Sequence, residues 1–300
     1  MKGKEGNPMH IKSISEVYAL LGYGQPLHPL IAIIREFPEM DISQTKLTGD
    51  LFLIGLKGGM NGAFKYGRNS YDFEAGTLTF LAPNQAIQFD QTYDKPENDD
   101  SWTIFFHPDL FLRTEFHHKL KDYSFFDYDI HEGLHLSDKE KQKLEVLVDH
   151  IDAELQQNID KHSQHLIVSN LETLLAYCLR YYERQFYTRT NLNQGIVSRF
   201  MQYLQQQFEV EKEIPSVAAC AEELSMSANY LSDLLRIETG KSAKDHIHDY
   251  IIEKAKNLLL ASTHNVSEVA YHLGFDYPQH FSRLFKSKTG MSPSEFRNVN

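Results

Sequence analysis

Tyr277-Pro-Gln-His-Phe-Ser-Arg-Leu-Phe-Lys-Ser-Lys-Thr-Gly290 decides how this chain is read. Phe281, Leu284 and Phe285 stand at i, i+3 and i+4, which is one apolar stripe of a helix. At about 100° per residue the opposite face carries Gln279, Arg283 and Lys286. Pro278 suits the first helical turn, where its missing N–H costs nothing. Gly290 suits the position just past the end, where a positive φ closes a helix. Upstream, Val266, Val269, Ala270 and Leu273 form a second stripe, with Asn265 and Glu268 at capping-box spacing before it. Leu273-Gly-Phe275 breaks the chain between the two. A helix, a glycine-containing turn and a second helix can place a recognition helix in a DNA major groove. Two short amphipathic helices also occur in ordinary all-α cores, so this stretch alone does not separate the two readings.

A repeat separates them. Tyr230-Leu-Ser-Asp-Leu-Leu-Arg-Ile-Glu-Thr-Gly-Lys-Ser242 aligns, fifty residues earlier, with His280–Ser292. Ser232, Leu234, Thr239, Gly240 and Ser242 recur as Ser282, Leu284, Thr289, Gly290 and Ser292. Further upstream, Val217, Ala221 and Leu224 match Val266, Ala270 and Leu273 at an offset of 49. Internal self-similarity is a stronger signal than either copy alone. In the first copy Leu231, Leu234 and Leu235 form the inner stripe, Asn229, Asp233 and Arg236 point outward, and Ser227 is a natural N-cap. Between the copies, His246 to Ala261 reads as one long helix. It would hold two reading heads apart, to suit successive major-groove faces roughly 34 Å apart.

Ala270-Tyr-His-Leu-Gly-Phe275, Phe281-Ser-Arg-Leu-Phe-Lys286, Thr289-Gly290 and Ser292-Pro-Ser-Glu-Phe-Arg297 resemble the signature of the AraC/XylS family of bacterial transcription regulators. The resemblance covers about the last hundred residues. It implies two helix-turn-helix subdomains joined by a helix, each inserting a recognition helix into promoter DNA. The residues expected on DNA are Ser227, Asn229, Tyr230, Ser232, Asp233 and Arg236 in the first head. In the second they are Tyr277, Gln279, His280, Ser282, Arg283 and Lys286. The first copy departs from the pattern twice: Asp233 replaces the basic Arg283, and Ser225 replaces Gly274.

Composition pulls the other way. The net charge is −11, which argues against a general polyanion binder. Residues 193–300 carry 11 Lys and Arg against 13 Asp and Glu, while 276–300 carry four against two. Non-specific affinity tracks phosphate neutralisation, so weak non-specific binding is expected, with reliance on a local basic patch. No apolar run reaches membrane-spanning length. The first residues, Met1-Lys-Gly-Lys-Glu-Gly-Asn-Pro, lack an apolar signal core. A cytoplasmic protein is expected. Cys178 and Cys220, the only cysteines, each fall in an apolar helix and read as buried thiols.

Residues 1–135 read as short strands between turns. Leu51–Leu56, Thr77–Leu81, Ala86–Phe89 and Trp102–His107 are strand candidates. Lys57-Gly-Gly-Met-Asn-Gly62 and Ala82-Pro-Asn-Gln85 are turns, and Tyr71-Asp-Phe-Glu-Ala-Gly76 leads into the second strand. Many short strands suggest a small barrel or jelly roll. Glu74–Pro83 loosely resembles the Gly-to-Pro strand of cupin-like sensor domains. No histidine occurs between Gly49 and Phe106, so the ligand set of an enzymatic cupin is missing. His107, His117, His118, His131, His135, His162 and His165 read as surface or satisfied side chains rather than ligands. A small-molecule pocket in the barrel mouth is the default, with a filled barrel as the alternative.

Ser137-Asp-Lys-Glu140 is a capping box opening a helix to about Asn158, with Leu144, Leu147, Val148, Ile151 and Leu155 as its stripe. A second helix, from about Ser163 to Tyr187, carries Leu166, Ile167, Leu171, Leu174, Leu175, Cys178 and Leu179. The two form a hairpin, which the family resemblance makes a dimer interface, with Leu171 and Leu175 in its stripe; packing against the barrel alone is the alternative. Thr188–Gln194 reads as a polar linker, and Ile196–Phe208 as a first, non-reading helix.

The expected fold class is therefore α+β. A cupin-like β-barrel sensor spans residues 1–135, a helical linker and dimerisation hairpin 136–190, and an all-α double helix-turn-helix domain 191–300. The two motifs lie at about 216–237 and 265–287. The expected function is a transcription regulator, a homodimer on double-stranded promoter DNA, answering to a small-molecule effector, with RNA polymerase as a further partner. The effector-binding residues are not specified. No nucleophile–base pair, phosphate loop, metal set or cofactor motif is found, so no catalysis and no cofactor are expected. The rivals are a metal-dependent cupin enzyme with a helical tail and an interaction adaptor without DNA binding.

Overall fold

The computed structural model describes residues 9–38, 46–57, 64–66, 69–71, 76–89, 100–112, 114, 116–157, 160, 162–188, 190–208, 214–261 and 264–299. The turn read at 58–62 and residues 72–75 lie outside them. The chain divides into two compact units, Met1–Gln185 and Phe186–Asn300.

In the first unit the described strands form two five-stranded sheets. One is wholly antiparallel and runs β10 (Leu134–His135), β7 (Thr77–Leu81), β4 (Phe52–Lys57), β9 (Trp102–Phe106), β2 (Ile31–Ile34). The other runs β1 (Met9–Ile11), β3 (Lys46–Gly49), β8 (Ile87–Phe89), β5 (Phe64–Tyr66), β6 (Asn69–Tyr71). Alternation places Ile54, Leu56, Leu78, Phe80, Trp102, Ile104 and Phe106 on one face of the antiparallel sheet, and all are buried. That face is capped by an aromatic cluster. Phe125 lies 4.5 Å from Phe80, and Phe111 lies 5.6 Å from Phe106, centroid to centroid. The opposite face packs on α1 (Ile14–Leu20), through Ile14, Val17, Ala32 and Ile34.

Helix α2 (Phe116–Lys119) sits among 3-10 turns in the stretch between β9 and β10. Helix α3 (Asp138–Leu155) opens on the expected capping box and buries the five expected side chains. Helix α4 (Ser163–Thr188) runs antiparallel to it: Arg184 pairs with Glu140 at 2.8 Å, and Lys143 lies over the Tyr177 ring. Tyr182 stacks on Phe125, and Gln185 satisfies both ends of its buried amide on Gly133 O and His135 N–H. The hairpin expectation needs a correction here. Leu171 and Leu175 are completely buried within the unit's own core, because the apolar stripe is already used by this fold. Leu166 and Leu179, assigned to the same stripe, turn outward at 45% and 36% exposure. Cys178 is buried and free, and burial pushes its thiol far up. The stretch read as a linker is helical on both sides of residue 189: α4 ends at Thr188, and α5 (Thr190–Gln206) begins at once.

The second unit is all helical. After α5 come α6 (Val217–Glu223), α7 (Ala228–Thr239), α8 (Ala243–Ala261), α9 (Val266–His272), α10 (Pro278–Thr289) and α11 (Pro293–Val299). Two cores flank α8. Ile247 and Ile251 join Phe200, Leu204, Leu224, Leu231 and Leu235 in the first. Ile252, Ala255 and Leu259 join Val269, Leu273, Phe281 and Phe285 in the second. Feeding both cores is why α8 shows no single apolar stripe. Phe275 and Leu284 pack against both cores.

Candidate nucleic-acid interface

The two helix-turn-helix motifs repeat atom for atom at their corners. After α6, the N–H groups of Ser225 and Met226 donate to Glu222 O and Ala221 O. After α9, those of Gly274 and Phe275 donate to Tyr271 O and Ala270 O. This is the Schellman closure, which needs a left-handed residue just past the cap. Gly274 supplies it at φ 85°, and Ser225 is forced into it at φ 57°. The second helices of the two motifs, α7 and α10, end alike, on Gly240 at φ 77° and Gly290 at φ 80°. Thr239 and Thr289 donate their hydroxyls to Leu235 O and Phe285 O, four residues back. Ser242 and Ser292 then accept from the N–H groups of Asp245 and Glu295.

On α10, Phe281 and Phe285 are buried, each contributing roughly 1.5–3 kcal/mol of burial. Tyr277, Gln279, His280, Arg283 and Lys286 are exposed, and Ser282 is half-buried. Tyr277 leans edge-on against His280, their centroids 5.5 Å apart. The four basic residues of this C-terminal segment are not equivalent. Lys288 pairs with Asp245 and Asp249, both at 3.1 Å, and Arg297 donates to Leu259 O at the end of α8. Among the described residues Arg283 and Lys286 make no ion pair, so the positive charge available to a ligand is on the predicted reading face.

On α7, Asn229 and Arg236 are exposed, while Ser227, Ser232 and Asp233 are half-buried. Ser227 is the N-cap and accepts the Tyr230 N–H at 3.2 Å. Asp233 and Arg236, read from sequence as separate contacts, are joined by an ion pair one turn apart. Tyr230 has to be withdrawn from the reading face. It is 8% exposed and packs against Phe186, centroids 4.9 Å apart. It stands four residues before Leu234, so helical periodicity already put it on the inner side. His280 holds the matching place in the second head and stays exposed.

The sequence matches a helix-turn-helix domain family over residues 220–298. The C-terminal part of this chain is an AraC-type helix-turn-helix domain. The chain is 32% identical over 105 residues to the HTH-type transcriptional activator RhaS of Salmonella schwarzengrund (strain CVM19633), covering 35% of this chain and 37% of that one. It is 40% identical over 81 residues to the arabinose operon regulatory protein of Escherichia coli (strain K12), covering 27% and 28%. The matches thus span well under half the length of either relative. Among solved structures, the C-terminal domain of AraT, a response regulator from Geobacillus stearothermophilus, is 33% identical. It covers 35% of this chain and 85% of that one, with a TM-score of 0.33.

Outside the AraC-type domain, Asp129, His131 and Glu132 bring three potential ligand atoms within 4.8 Å of one another. Asp129 and Glu132 already cap each other across a 3-10 turn, so the cluster has a structural employment. Among the described residues, no helix is long and apolar enough to cross a membrane.

Proposed function

We propose that this chain is a sequence-specific transcription regulator that reads promoter DNA through both helix-turn-helix motifs of its AraC-type domain. The observation that carries the proposal is the exposed face of α10. Its two uncommitted cations, Arg283 and Lys286, stand above a buried Phe281–Phe285 stripe, in a motif that occurs twice. An Arg can pair with guanine O6 and N7, and a Lys at the edge of the same face suits a phosphate. The names of the relatives, an activator and an operon regulator, point the same way.

The rest of the proposal concerns the first unit. Its two sheets and aromatic cap suit a cupin-like sensor answering to a small-molecule effector. A second copy of the chain is the proposed partner of the α3–α4 hairpin. Since Leu171 and Leu175 are taken by the core, that copy would meet the exposed surface of α4, to which Leu166 and Leu179 each contribute. RNA polymerase is a further proposed partner and the cytoplasm the proposed compartment. We assign no catalysis and no cofactor.

The test is binding of the full-length protein to duplexes enriched from a random-sequence pool. Arg283→Ala should cost about 1–3 kcal/mol and relax preference at one or two base pairs. Lys286→Ala should weaken all sequences alike and lower the salt slope by about one. If Arg283→Ala leaves both affinity and base preference intact, α10 does not lie in the major groove. A pool that never enriches a sequence favours the adaptor reading.

A further inference from the structure

One turn of α8 is tied to the far ends of both recognition helices. Lys241, immediately after the Gly240 cap of α7, donates to Asp249 at 2.7 Å. Lys288, in the last turn of α10, reaches Asp249 and Asp245, both at 3.1 Å. Asp245 also accepts from the Ser242 hydroxyl at 2.7 Å. That bond, followed by Lys288, holds its carboxyl down to about 2. Burial opposes ionisation of Asp249, yet its bonds to Lys241 and Lys288 keep its carboxyl below the ordinary range. Asp249 is thus the one carboxylate, among the described residues, that pairs with a lysine from each head.

The apolar link between the heads, Phe275 and Leu284 packed on both cores, is of a different kind. Apolar burial is non-directional and tolerates a small rotation of one head against the other. Ion pairs near 3 Å are directional and favour one placement. One base pair corresponds to about 3.4 Å along the duplex, and a shift of that size between α7 and α10 would pull Lys241 and Lys288 away from their shared hold on Asp249.

Resting on the DNA-reading function proposed above, we propose that Asp249, assisted by Asp245, is a positioning residue that fixes α7 against α10 and so sets the half-site spacing this domain accepts. It acts through Lys241 and Lys288, with no contact to DNA of its own.

The experiment uses the full-length protein and a duplex that the wild type enriches from a random-sequence pool, together with versions of that duplex one base pair longer or shorter between the half-sites. The reading is the ratio of affinities for parent and altered spacing, because a uniform change in charge cancels in a ratio. Asp249→Asn should lower that ratio about three- to fivefold, the scale of a small exposed ion-pair network, while Asp249→Glu should preserve it. Thermal unfolding verifies that the variant is folded. Should Asp249→Asn fail to fold, Lys241→Gln combined with Lys288→Gln removes the same contacts from exposed positions and should lower the ratio alike. A folded variant with an unchanged ratio overturns the inference and leaves the DNA-reading function standing. A wild type that enriches no sequence defeats that function, and the inference falls with it.

Discussion

Ser225 offers the sharpest test of the local physics. It occupies the left-handed position of the first Schellman closure at φ 57°, where the second motif has Gly274 at φ 85°. A left-handed conformation costs an L-residue roughly 1–2 kcal/mol. Replacing Ser225 by Gly removes that cost but adds chain freedom to the unfolded state, worth roughly 0.4–1 kcal/mol. Ser225 is exposed, so little packing is lost with its side chain. Ser225→Gly should therefore stabilise the second unit by about 0.5–1 kcal/mol. For a domain of this size that raises its Tm by about 2–6 °C. Gly274→Ser should lower the Tm by a similar amount. Calorimetry of the full-length chain, following the transition of the C-terminal unit, reads both. A Tm that falls in Ser225→Gly with helical content unchanged would refute the equivalence of the two corners.

Two further outcomes are expected. Leu166→Glu with Leu179→Glu should leave the chain folded and shift its sedimentation to the monomer, whereas Leu171→Glu should unfold the first unit; a folded Leu166/Leu179 variant of unchanged mass removes this face of α4 from the interface. The Asp245 carboxyl is depressed by its bonds to Ser242 and Lys288, so its contribution to stability is fully present above an unfolded pKa of about 3.9 and is lost as pH falls towards about 2. Urea midpoints between pH 5 and pH 2.5 should fall less steeply in Asp245→Asn than in the wild type.

The sequence was most legible where the signals are local. The Asn265–Glu268 and Ser137–Glu140 boxes opened α9 and α3 where their spacing said, and Gly240 and Gly290 closed α7 and α10. The five strands of the antiparallel sheet were not equally visible. β4, β7 and β9 alternate or run apolar, but β2 and the two-residue β10 are too short to stand out. Helix α1 is signalled only by Ser13 and Glu16 at capping-box spacing, and Ser13 does accept the Glu16 N–H. The 3-10 turns after β9 have no period to read. What failed was the choice of partner. A stripe containing Leu171 and Leu175 says that something covers it, and only the tertiary fold says that the first unit does. The burial of Tyr230 depends on Phe186, and the pairing of Lys288 on Asp245, 43 residues away.

The employment of Lys288 and Arg297 inside the fold has a physiological consequence. A regulator that holds its duplex with few displaced counterions has an occupancy that responds little to ionic strength. Under the DNA-reading function proposed above, osmotic upshift, which loosens heavily basic DNA-binding proteins, would leave this one in place, and its occupancy would follow the proposed effector rather than the salt content of the cell.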